Sequence, residues 1–347
     1  MDVSLLHALT DRVAALAAPS AMRPDAWPLG ERVDAWARGR GLVLGEPDTT
    51  PLGRARCERL AARAFPTADL DRVDLFARWL TWTFALDDTV DHAPFAGSAT
   101  AVHGLYDDLL RGVRCGHARP GARPLESTLV ELWQATSAGT SRDWRRRFLA
   151  HMEENRDGCA EEAVNRRVGR VPSLKAYAAL RRRACGPFMY DLIEPVLGVE
   201  VPVRLLATPD WRTVTEGTAD IVAWTNDLVS HVCEAARDDA HNMPSVLAAA
   251  YGIDPGKAGE WVVERIAIRI GDVAAAARTL PGMLDLLRPT DEQRDAAVQV
   301  VRVLLDTPRA HVEWLIESGR YGPEAGLSSP APGRRPAARL DGLASLR

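Results

Sequence analysis

The sequence of 347 residues contains only five cysteines, and none of them stands in a C-x-x-C or C-x-x-H spacing. An odd number of scattered cysteines is untypical of a disulfide framework or of a zinc site. This distribution indicates a reducing compartment, and we therefore expect a cytoplasmic protein. The cysteines are Cys57, Cys115, Cys159, Cys185 and Cys233.

The sequence also lacks an excess of charge of either sign and lacks long apolar runs. Its 43 Lys and Arg residues and 47 Asp and Glu residues leave a formal net charge of −4, without the basic excess that binding to nucleic acid requires. No apolar run approaches the roughly 20 residues of a membrane-spanning helix, and the N-terminus has no basic region before an apolar one. We expect neither a nucleic-acid partner nor a membrane partner.

Alternation of apolar and polar residues with a period of two, which is typical of strands, is nearly missing. Ala, Leu, Arg and Glu dominate, and apolar residues recur with helical spacing, so the sequence predicts an all-α protein. Clusters of proline and glycine separate the helical segments at 119–124, 195–202, 252–256 and 281–289. The most continuous helical segments are 71–91, 173–196, 210–237, 256–280 and 291–318.

No change in composition between Pro66 and Tyr321 marks a domain boundary, and the sequence has no internal repeat. We expect one helical domain over 21–321, preceded by an arm over 1–20 that is either a short amphipathic helix or a loose segment. Residues 322–347 are rich in Pro, Gly, Ser and Arg. Such a composition buries little apolar surface, and we expect this tail to be disordered.

Three aspartates, Asp87, Asp88 and Asp91, follow the apolar segment WLTWTFAL in the pattern D-D-x-x-D. The spacing of four residues places Asp87 and Asp91 on one helix face, whereas Asp88 projects about 100° away. Like charges on one face repel each other by roughly a few tenths of a kcal/mol, and the carboxyl end of a helix is unfavourable for anions. The aspartates form either a solvated helix end or a site for a hard cation such as Mg²⁺. The aromatic run before them favours the cation site, because it places the aspartates beside an apolar interior.

A second polar line lies in the segment IVAWTNDLVSHVCE, where Asn226, Ser230 and Glu234 are spaced four residues apart. This spacing places an amide oxygen, a hydroxyl and a carboxylate along one face of an otherwise apolar helix. Buried polar groups without partners cost about 1–3 kcal/mol each, so these residues either bond to a neighbouring helix or share a hard cation. Two sets of side chains that offer oxygen ligands, on two buried helices, favour the binding of a cation over hydrogen bonds to a neighbouring helix. Asp227 lies off the line, where it can orient the ligands.

Two basic features accompany the acidic ones. The run 181–183 of three arginines precedes Ala-Cys-Gly-Pro, which predicts a cationic turn at a helix break, and Arg320 and Tyr321 follow Trp314 closely. Arginine binds phosphate through two parallel hydrogen bonds, and a tyrosine hydroxyl adds a further donor. A solvated charged face is the alternative interpretation of either feature.

Together these motifs resemble those of the bacterial class I terpene cyclases, and the resemblance extends from about Arg54 to Tyr321. It is carried by WLTWTFALDDTVD, NRRVGRVPSLKAYAALRRRACG, NDLVSHVCE, HNMPSVL and a Trp that precedes Arg-Tyr by five intervening residues. A lone DDxxD is unspecific, whereas the order and spacing of the two acidic motifs are specific. The resemblance implies a single-domain, class I terpenoid synthase-like helical bundle around a central apolar cavity.

The resemblance also implies an activity. A magnesium-dependent terpene cyclase ionises and cyclises a linear isoprenyl diphosphate, its partner molecule, and releases diphosphate. We expect farnesyl diphosphate as substrate because this pattern is most common there, and geranylgeranyl diphosphate second because the aromatic content is only 6%. By resemblance, Asp87 and Asp91 bind two Mg²⁺ ions, while Asn226, Ser230 and Glu234 bind a third.

Other residues match positions that contact the diphosphate in this family. Arg182 takes the place of the diphosphate sensor, with Cys185 as linker and Gly186 as the effector whose main-chain carbonyl points at the substrate. Arg320 and Tyr321 match the closing Arg-Tyr pair on the diphosphate. These assignments are implied by the resemblance alone.

Two positions depart from the pattern of the family. The residue before Glu234 is usually Lys or Arg and contacts the diphosphate, but here it is Cys233. One cationic contact is therefore missing or supplied from elsewhere. Cys185 is also unusual, because the linker is more often a small polar or acidic residue. Both departures affect the rate or the product spectrum rather than the metal motifs.

The carbocation of such a reaction is stabilised by the faces of aromatic rings, each by roughly 0.5–2 kcal/mol. Aromatic residues near the motifs are therefore candidates for the cavity wall, although each of them is equally compatible with the hydrophobic core. The candidates are Trp82, Phe84, Phe188, Trp224 and Trp314.

Three rival functions are open to an all-α protein with these motifs. A prenyl chain-elongating synthase of the same fold should carry a second aspartate-rich motif where this chain has N-D-x-x-S-x-x-x-E. A non-catalytic isoprenoid-binding protein of the same fold would not need the complete set of ligands. A di-iron carboxylate bundle requires paired Glu-x-x-His motifs, which the sequence lacks. Homodimers are common in the terpene cyclase family, so a homodimer is one expectation for the assembly.

Overall fold

The structure is a computed structural model that describes residues 3–43, 49–235 and 241–321. Within these ranges the chain is α-helical without any β-strand, as the sequence predicts. The helices are α1 (Val3–Val13), α2 (Ala26–Gly39), α3 (Pro51–Arg54), α4 (Cys57–Ala64), α5 (Leu70–Val90), α6 (Ala99–Cys115), α7 (Pro124–Ser137), α8 (Arg142–Val168), α9 (Leu174–Ala184), α10 (Phe188–Asp191), α11 (Ile193–Leu197), α12 (Val203–Leu206), α13 (Pro209–Ala235), α14 (Met243–Tyr251), α15 (Pro255–Leu287) and α16 (Asp291–Glu317).

Local sequence signals determine where the long helices begin and end. Ser141 caps α8 by accepting a hydrogen bond from the backbone N–H of Trp144, and Gly169 ends the same helix with a φ of 61°. Glycine adopts this left-handed conformation without the steric penalty of a Cβ atom. At the start of α16, Thr290 and Gln293 form a reciprocal capping box. The ends of these helices are thus encoded locally.

The observed helices differ from the predicted segments at two places. The segment 173–196 is divided into α9, α10 and α11, because the chain breaks at Gly186. Helix α15 continues through Pro281 to Leu287, beyond the predicted end at 280. A proline removes one hydrogen bond of a helix, but Leu280 and Leu284 on either side of it are buried, and their packing holds the helix together.

Two long helices, α5 and α13, organise the core. Helix α13 packs against α9, α14, α15 and α16, whereas α5 packs against α2, α4, α7 and α11. Helix α16 connects the two groups, since it contacts both α13 and α4. The buried side chains form one continuous hydrophobic core. Although α5 and α13 are largely apolar, none of the helices in the described ranges is long and apolar enough to cross a membrane.

The predicted N-terminal arm contains a helix that packs on the rest of the chain. Leu6, Leu9 and Val13 of α1 recur with helical spacing and are fully buried. Helix α1 contacts α15 and α16, and Arg309 of α16 donates a hydrogen bond to the carbonyl oxygen of Thr10 at 2.7 Å. Of the two alternatives for 1–20, the amphipathic helix describes the observed segment. The tail predicted over 322–347 lies outside the described residues.

Candidate active site

A cavity of about 190 Å³ lies between α4, α5, α6, α8, α9, α10, α11, α13 and the last turns of α16. Apolar side chains form most of its wall, while Asp87, Asn226 and Tyr321 bring polar groups into it. The cavity is therefore suited to a ligand that is apolar over most of its length. The aromatic side chains of the wall are Phe65, Phe76, Phe84, Tyr106, Tyr190 and Tyr321.

The three aspartates at the end of α5 have different surroundings. Asp87 lines the cavity, and its side chain is 56% exposed. The surrounding protein nevertheless displaces bulk solvent, and this desolvation, together with the negative charge of Asp91, raises the pKa of the Asp87 carboxyl to about 7. Asp91 follows the last helical residue and binds Arg166 of α8, with 3.0 Å between Nη2 and Oδ1. Asp88 pairs with Arg320 instead.

The residues of the polar line on α13 share one helix face, as the spacing predicts. Asn226 lines the cavity, and the hydroxyl of Ser230 donates to the backbone carbonyl of Asn226 at 3.0 Å. Glu234 accepts a hydrogen bond from Nδ2 of Asn242 at 3.0 Å. Burial, together with the negative charge of Asp227, raises the pKa of Glu234 to about 8. Each acidic motif thus contains a carboxyl group whose negative charge is poorly compensated.

The adjacent residues Arg320 and Tyr321 connect the two acidic motifs. Arg320 donates to both oxygens of Asp88, at 2.7 and 3.3 Å, and its guanidinium carbon lies 4.6 Å from the ring centre of Phe84. Burial alone would disfavour the charged form, but Asp88 raises the pKa of Arg320 above its ordinary value, so the guanidinium stays charged. The hydroxyl of Tyr321 accepts a hydrogen bond from Nδ2 of Asn226 at 2.6 Å. The end of α5 is therefore linked to α13 through two consecutive residues.

These contacts do not amount to a preformed cluster of acidic side chains. In the part of the chain that the structure describes, no group of three or more His, Cys, Asp or Glu side chains is arranged to hold a metal ion. The predicted ligands differ in kind, because Asn226 and Ser230 supply an amide and a hydroxyl oxygen. The assignment of Asp87, Asp91 and Glu234 as metal ligands stays a prediction. The side chain of Cys233 lies outside the described residues.

Neighbouring arginines at the end of α9 project in different directions. Arg182 donates to the two oxygens of Asp220, at 2.6 and 2.8 Å, and is not among the described residues that line the cavity. Arg181 does line the cavity, where its guanidinium donates to Asp227 at 3.0 Å and to Asn226 at 3.3 Å. Consecutive helical residues project about 100° apart, so only one of the two faces the cavity. Arg181 is thus a cavity residue that the sequence reasoning missed, and the role of Arg182 stays a prediction.

The helix break after α9 occurs where the sequence predicts it. Gly186 lines the cavity with a φ of 76°, a conformation that favours glycine. Its carbonyl oxygen accepts a hydrogen bond from the N–H of Met189 at 3.0 Å. The last carbonyl groups of a helix have no partner within the helix. Asn155 of α8 supplies the missing donor, because its Nδ2 binds the carbonyl oxygens of Arg183 and Ala184, both at 2.9 Å.

Most of the aromatic side chains suggested for the cavity wall belong to the core instead. Trp82 and Phe188 are fully buried, with 6.2 Å between their ring centres. Trp314 is fully buried as well, and its indole N–H donates to a backbone carbonyl at 2.7 Å. Together with Trp224, these residues are absent from the described cavity wall, and Phe84 alone of the five candidates lines it. Large rings that satisfy their N–H groups internally, as Trp82 and Trp314 do, are stable as core.

His311 of α16 also lines the cavity, and the sequence reasoning did not single it out. Its side chain is 5% exposed, and Nδ1 has no hydrogen-bond partner among the described residues. Burial lowers the pKa of His311 to about 3, so the imidazole is neutral at neutral pH. The available signal was its spacing of three residues from Trp314, which places both side chains on one helix face.

Comparison with known proteins agrees with this geometry. Residues 78–272 match the family model described as terpene synthase family 2, C-terminal metal binding. The matched range begins within α5 and ends within α15, so it contains both acidic motifs and the helix break at Gly186.

Individual relatives extend over most of the chain. The sequence is 31% identical over 278 residues to (−)-δ-cadinene synthase of Streptomyces clavuligerus. This match covers 80% of this chain and 84% of that protein. It is 27% identical over 328 residues to (−)-β-caryophyllene synthase of Saccharothrix espanaensis, described as (2E,6E)-farnesyl diphosphate cyclizing, with coverage of 91% and 90%. The crystal structure of germacradien-4-ol synthase from Streptomyces citricolor shares the fold, with a TM-score of 0.75 at 21% identity over 86% of this chain and 95% of that chain. The chain therefore belongs to the terpene synthase family, and the protein is a terpene cyclase.

Proposed function

We propose that the protein converts farnesyl diphosphate into a cyclic terpene and releases diphosphate, with geranylgeranyl diphosphate as the second choice of substrate. The observation that carries this proposal is the apolar cavity whose polar end joins Asp87, Asn226, Arg320 and Tyr321. An isoprenyl diphosphate has the matching form, because a compact anionic head is attached to a long apolar chain. The description of the Saccharothrix relative as farnesyl diphosphate cyclizing supports the first choice of substrate.

The donor groups at the polar end fit Mg²⁺. They are oxygen atoms of carboxylates, an amide and a hydroxyl, the ligands that Mg²⁺ prefers in combination with substrate phosphates. The raised pKa values of Asp87 and Glu234 indicate negative charges that a cation would compensate. We propose that Asp87 and Asp91 hold two ions and that Asn226, Ser230 and Glu234 hold a third. Bound Mg²⁺ would supply Lewis-acid stabilisation of the charge on the diphosphate.

Arg320 and Tyr321 are proposed to bind the oxygens of the diphosphate. The guanidinium of Arg320 is charged and already faces a carboxylate, so a phosphate group is a compatible partner for the same donors. Arg182 is proposed as a further diphosphate ligand, which requires its side chain to leave Asp220. Asp220 would retain a cationic partner in that event, because Arg269 also binds it at 2.9 Å.

The apolar wall is proposed to fold the substrate and to protect the carbocation from water. The ring of Phe84 lies beside the polar end, since the guanidinium of Arg320 covers it at 4.6 Å. Phe65, Phe76 and Tyr190 present additional rings to the cavity. Each aromatic face can stabilise a cation by roughly 0.5–2 kcal/mol. The main-chain carbonyl of Gly186 is proposed to add a further dipole at the helix break.

The experiment that tests this function is incubation of the protein with Mg²⁺ and, separately, geranyl, farnesyl and geranylgeranyl diphosphate. Products are identified by gas chromatography with mass detection, and a chelator serves as control. We expect a cyclic terpene from farnesyl diphosphate that disappears with the chelator. Folded protein that releases no diphosphate from any of the three substrates would contradict the proposal.

The remaining expectations from the sequence concern the location, assembly and partners of the enzyme. The cytoplasmic location, the homodimer and the lack of a nucleic-acid partner stay predictions. A chain-elongating synthase is the less favoured function, because the matched family model is that of terpene synthases.

A further inference from the structure

The cavity wall contains an imidazole to which the proposed function gives no role. His311 is 5% exposed and lines the cavity from α16. Its Nδ1 atom has no hydrogen-bond partner among the described residues. A buried polar atom without a partner is unfavourable for folding, so stability does not account for a histidine at this position.

His311 carries no charge at neutral pH, because burial lowers its pKa to about 3. A neutral imidazole has an electron pair on one ring nitrogen and a proton on the other. It therefore does not repel a carbocation in the cavity, and it offers a site where a proton can bind. The hydroxyl of Thr307, four residues earlier on the same helix, donates its hydrogen to the carbonyl oxygen of Val303 at 2.7 Å and is a much weaker base than an imidazole.

His311 is separated along α16 from the residues that are proposed to bind the diphosphate. Helix α16 ends at Glu317, six residues later, which corresponds to about 9 Å along the helix axis. Arg320 and Tyr321, where the diphosphate is proposed to bind, lie beyond that end. Oxygens of the diphosphate are therefore poorly placed to remove a proton from the part of the substrate beside His311.

We propose that His311 accepts the proton whose loss ends the cyclisation. The inference rests on the proposed function, because it requires a carbocation in this cavity. A C–H bond next to the cationic carbon breaks, and its electron pair becomes the double bond of the product. The proton forms an N–H bond with the electron pair of the imidazole. The imidazolium then passes this proton to the released diphosphate or to water when the product leaves.

Trp314 is placed to support the charged form of His311. The two rings are 5.5 Å apart between centres and inclined by 35°. An aromatic face stabilises a nearby cation, so the imidazolium is less unfavourable there than in a purely aliphatic wall. The low pKa still ensures that the proton is given up readily, which returns the imidazole to its neutral state.

The test compares the wild type with His311→Phe, which keeps the ring but removes its nitrogens, and with His311→Gln, which keeps polarity without basicity. His103→Gln is the matched control, because His103 is an exposed histidine of α6 and is not among the described residues that line the cavity. Each protein is incubated with Mg²⁺ and farnesyl diphosphate. Diphosphate release, KM and the distribution of products are measured after circular dichroism has verified folding.

We expect both His311 variants to release diphosphate within about threefold of the wild-type rate, with the main cyclic olefin reduced at least about tenfold in favour of alcohols or earlier olefins. His103→Gln should keep the wild-type products. If His311→Phe does not fold, the product distribution of His311→Gln alone tests the proposal. Wild-type product spectra in the folded His311 variants, or a wild-type product that is solely an alcohol, would overturn this inference alone. A wild type that releases no diphosphate would contradict the proposed function, and this inference with it.

Discussion

The guanidinium of Arg320, three residues after α16, forms a two-point contact with the carboxylate of Asp88 at the end of α5. The side chain of Arg320 is 8% exposed, so this contact compensates a nearly buried positive charge. The sequence predicts that Asp88 projects away from the face that carries Asp87 and Asp91. The pair with Arg320 gives this divergent aspartate a partner of its own.

Replacement of Asp88 by asparagine should lower the stability of the protein. The variant Asp88→Asn leaves the guanidinium of Arg320 without its main counter-charge, and we expect a loss of about 1–3 kcal/mol in the free energy of unfolding. Denaturant titration at neutral pH measures it. The control is Asp107→Asn, because the side chain of Asp107 is 70% exposed and lies 3.9 Å from its arginine partner. Equal effects of the two replacements would argue against a structural role for the pair.

Replacement of Arg182 should reduce activity far more than it reduces stability. Asp220 keeps Arg269 as a partner at 2.9 Å when Arg182 is removed, so Arg182→Ala should unfold much like the wild type. If Arg182 senses the diphosphate, the rate of diphosphate release should fall by at least about 100-fold. Arg269→Ala removes the other partner of Asp220 and should retain most of the activity, as should the exposed Arg146→Ala. Similar losses of activity from Arg182→Ala and Arg269→Ala would show that Arg182 acts only through its ion pair with Asp220.

Addition of a single methyl group at Gly158 should disturb the helix break before Gly186. A Cβ atom at Gly158 of α8 would lie 2.7 Å from the backbone nitrogen of Ala184 and 2.8 Å from the carbonyl carbon of Arg183. Backbone atoms must therefore shift, and we expect Gly158→Ala to cost about 1–3 kcal/mol and to reduce turnover. At Gly104 of α6, a Cβ atom would meet nothing within 4 Å.

The replacement Gly104→Ala is accordingly the matched control. Alanine is favoured over glycine in a helix interior, and this variant should be more stable by about 0.5–1 kcal/mol with unchanged activity. Thermal unfolding and product formation are measured for both variants. A Gly158→Ala protein that behaves like Gly104→Ala would show that α8 and α9 tolerate the closer approach.

The features that follow from local spacing were predictable from the sequence. The D-D-x-x-D motif ends α5, Asn226 and Ser230 share a face of α13, and the chain breaks at Gly186, as the spacing and the turn residues indicate. Each of these depends only on helix periodicity or on local backbone preference, which neighbouring residues determine.

The features that depend on packing between helices were not predictable in this way. Arg181 and Arg182 are adjacent and chemically identical, so the sequence does not distinguish the one that faces the cavity. Trp82 was suggested for the wall, but its indole donates to the carbonyl of Leu125 at 2.9 Å within the core. His311 was overlooked, because its burial results from its position facing the cavity and not from a local motif.

Acid should destabilise the wild type through His311. Burial lowers the pKa of this imidazole from 6.5 to about 3 in the folded protein. Between these values the unfolded chain binds a proton at this position and the folded chain does not. Stability is therefore complete above pH 6.5 and decreases as the pH falls towards 3, by at most about 1.4 kcal/mol per pH unit.

The variant His311→Gln cannot bind this proton in either the folded or the unfolded state. Its free energy of unfolding should therefore depend less steeply on pH between 6.5 and 4.5. Denaturant titrations at several pH values give the two slopes. Replacement of the exposed His103 by glutamine controls for the loss of any histidine. Identical slopes for the wild type and His311→Gln would mean that His311 already binds its proton in the folded state.

The central claim is that the two acidic motifs hold the metal ions that allow an isoprenyl diphosphate to ionise. Its most direct test is the rate of diphosphate release from farnesyl diphosphate with Mg²⁺, measured for the wild type, Asp87→Ala, the double variant Asn226→Ala with Ser230→Ala, and the exposed control Asp107→Ala. The account predicts a loss of at least about 100-fold in the first two variants, with the helical circular dichroism intact and the control unaffected. Near-normal release by a folded Asp87→Ala or Asn226→Ala/Ser230→Ala protein would contradict it.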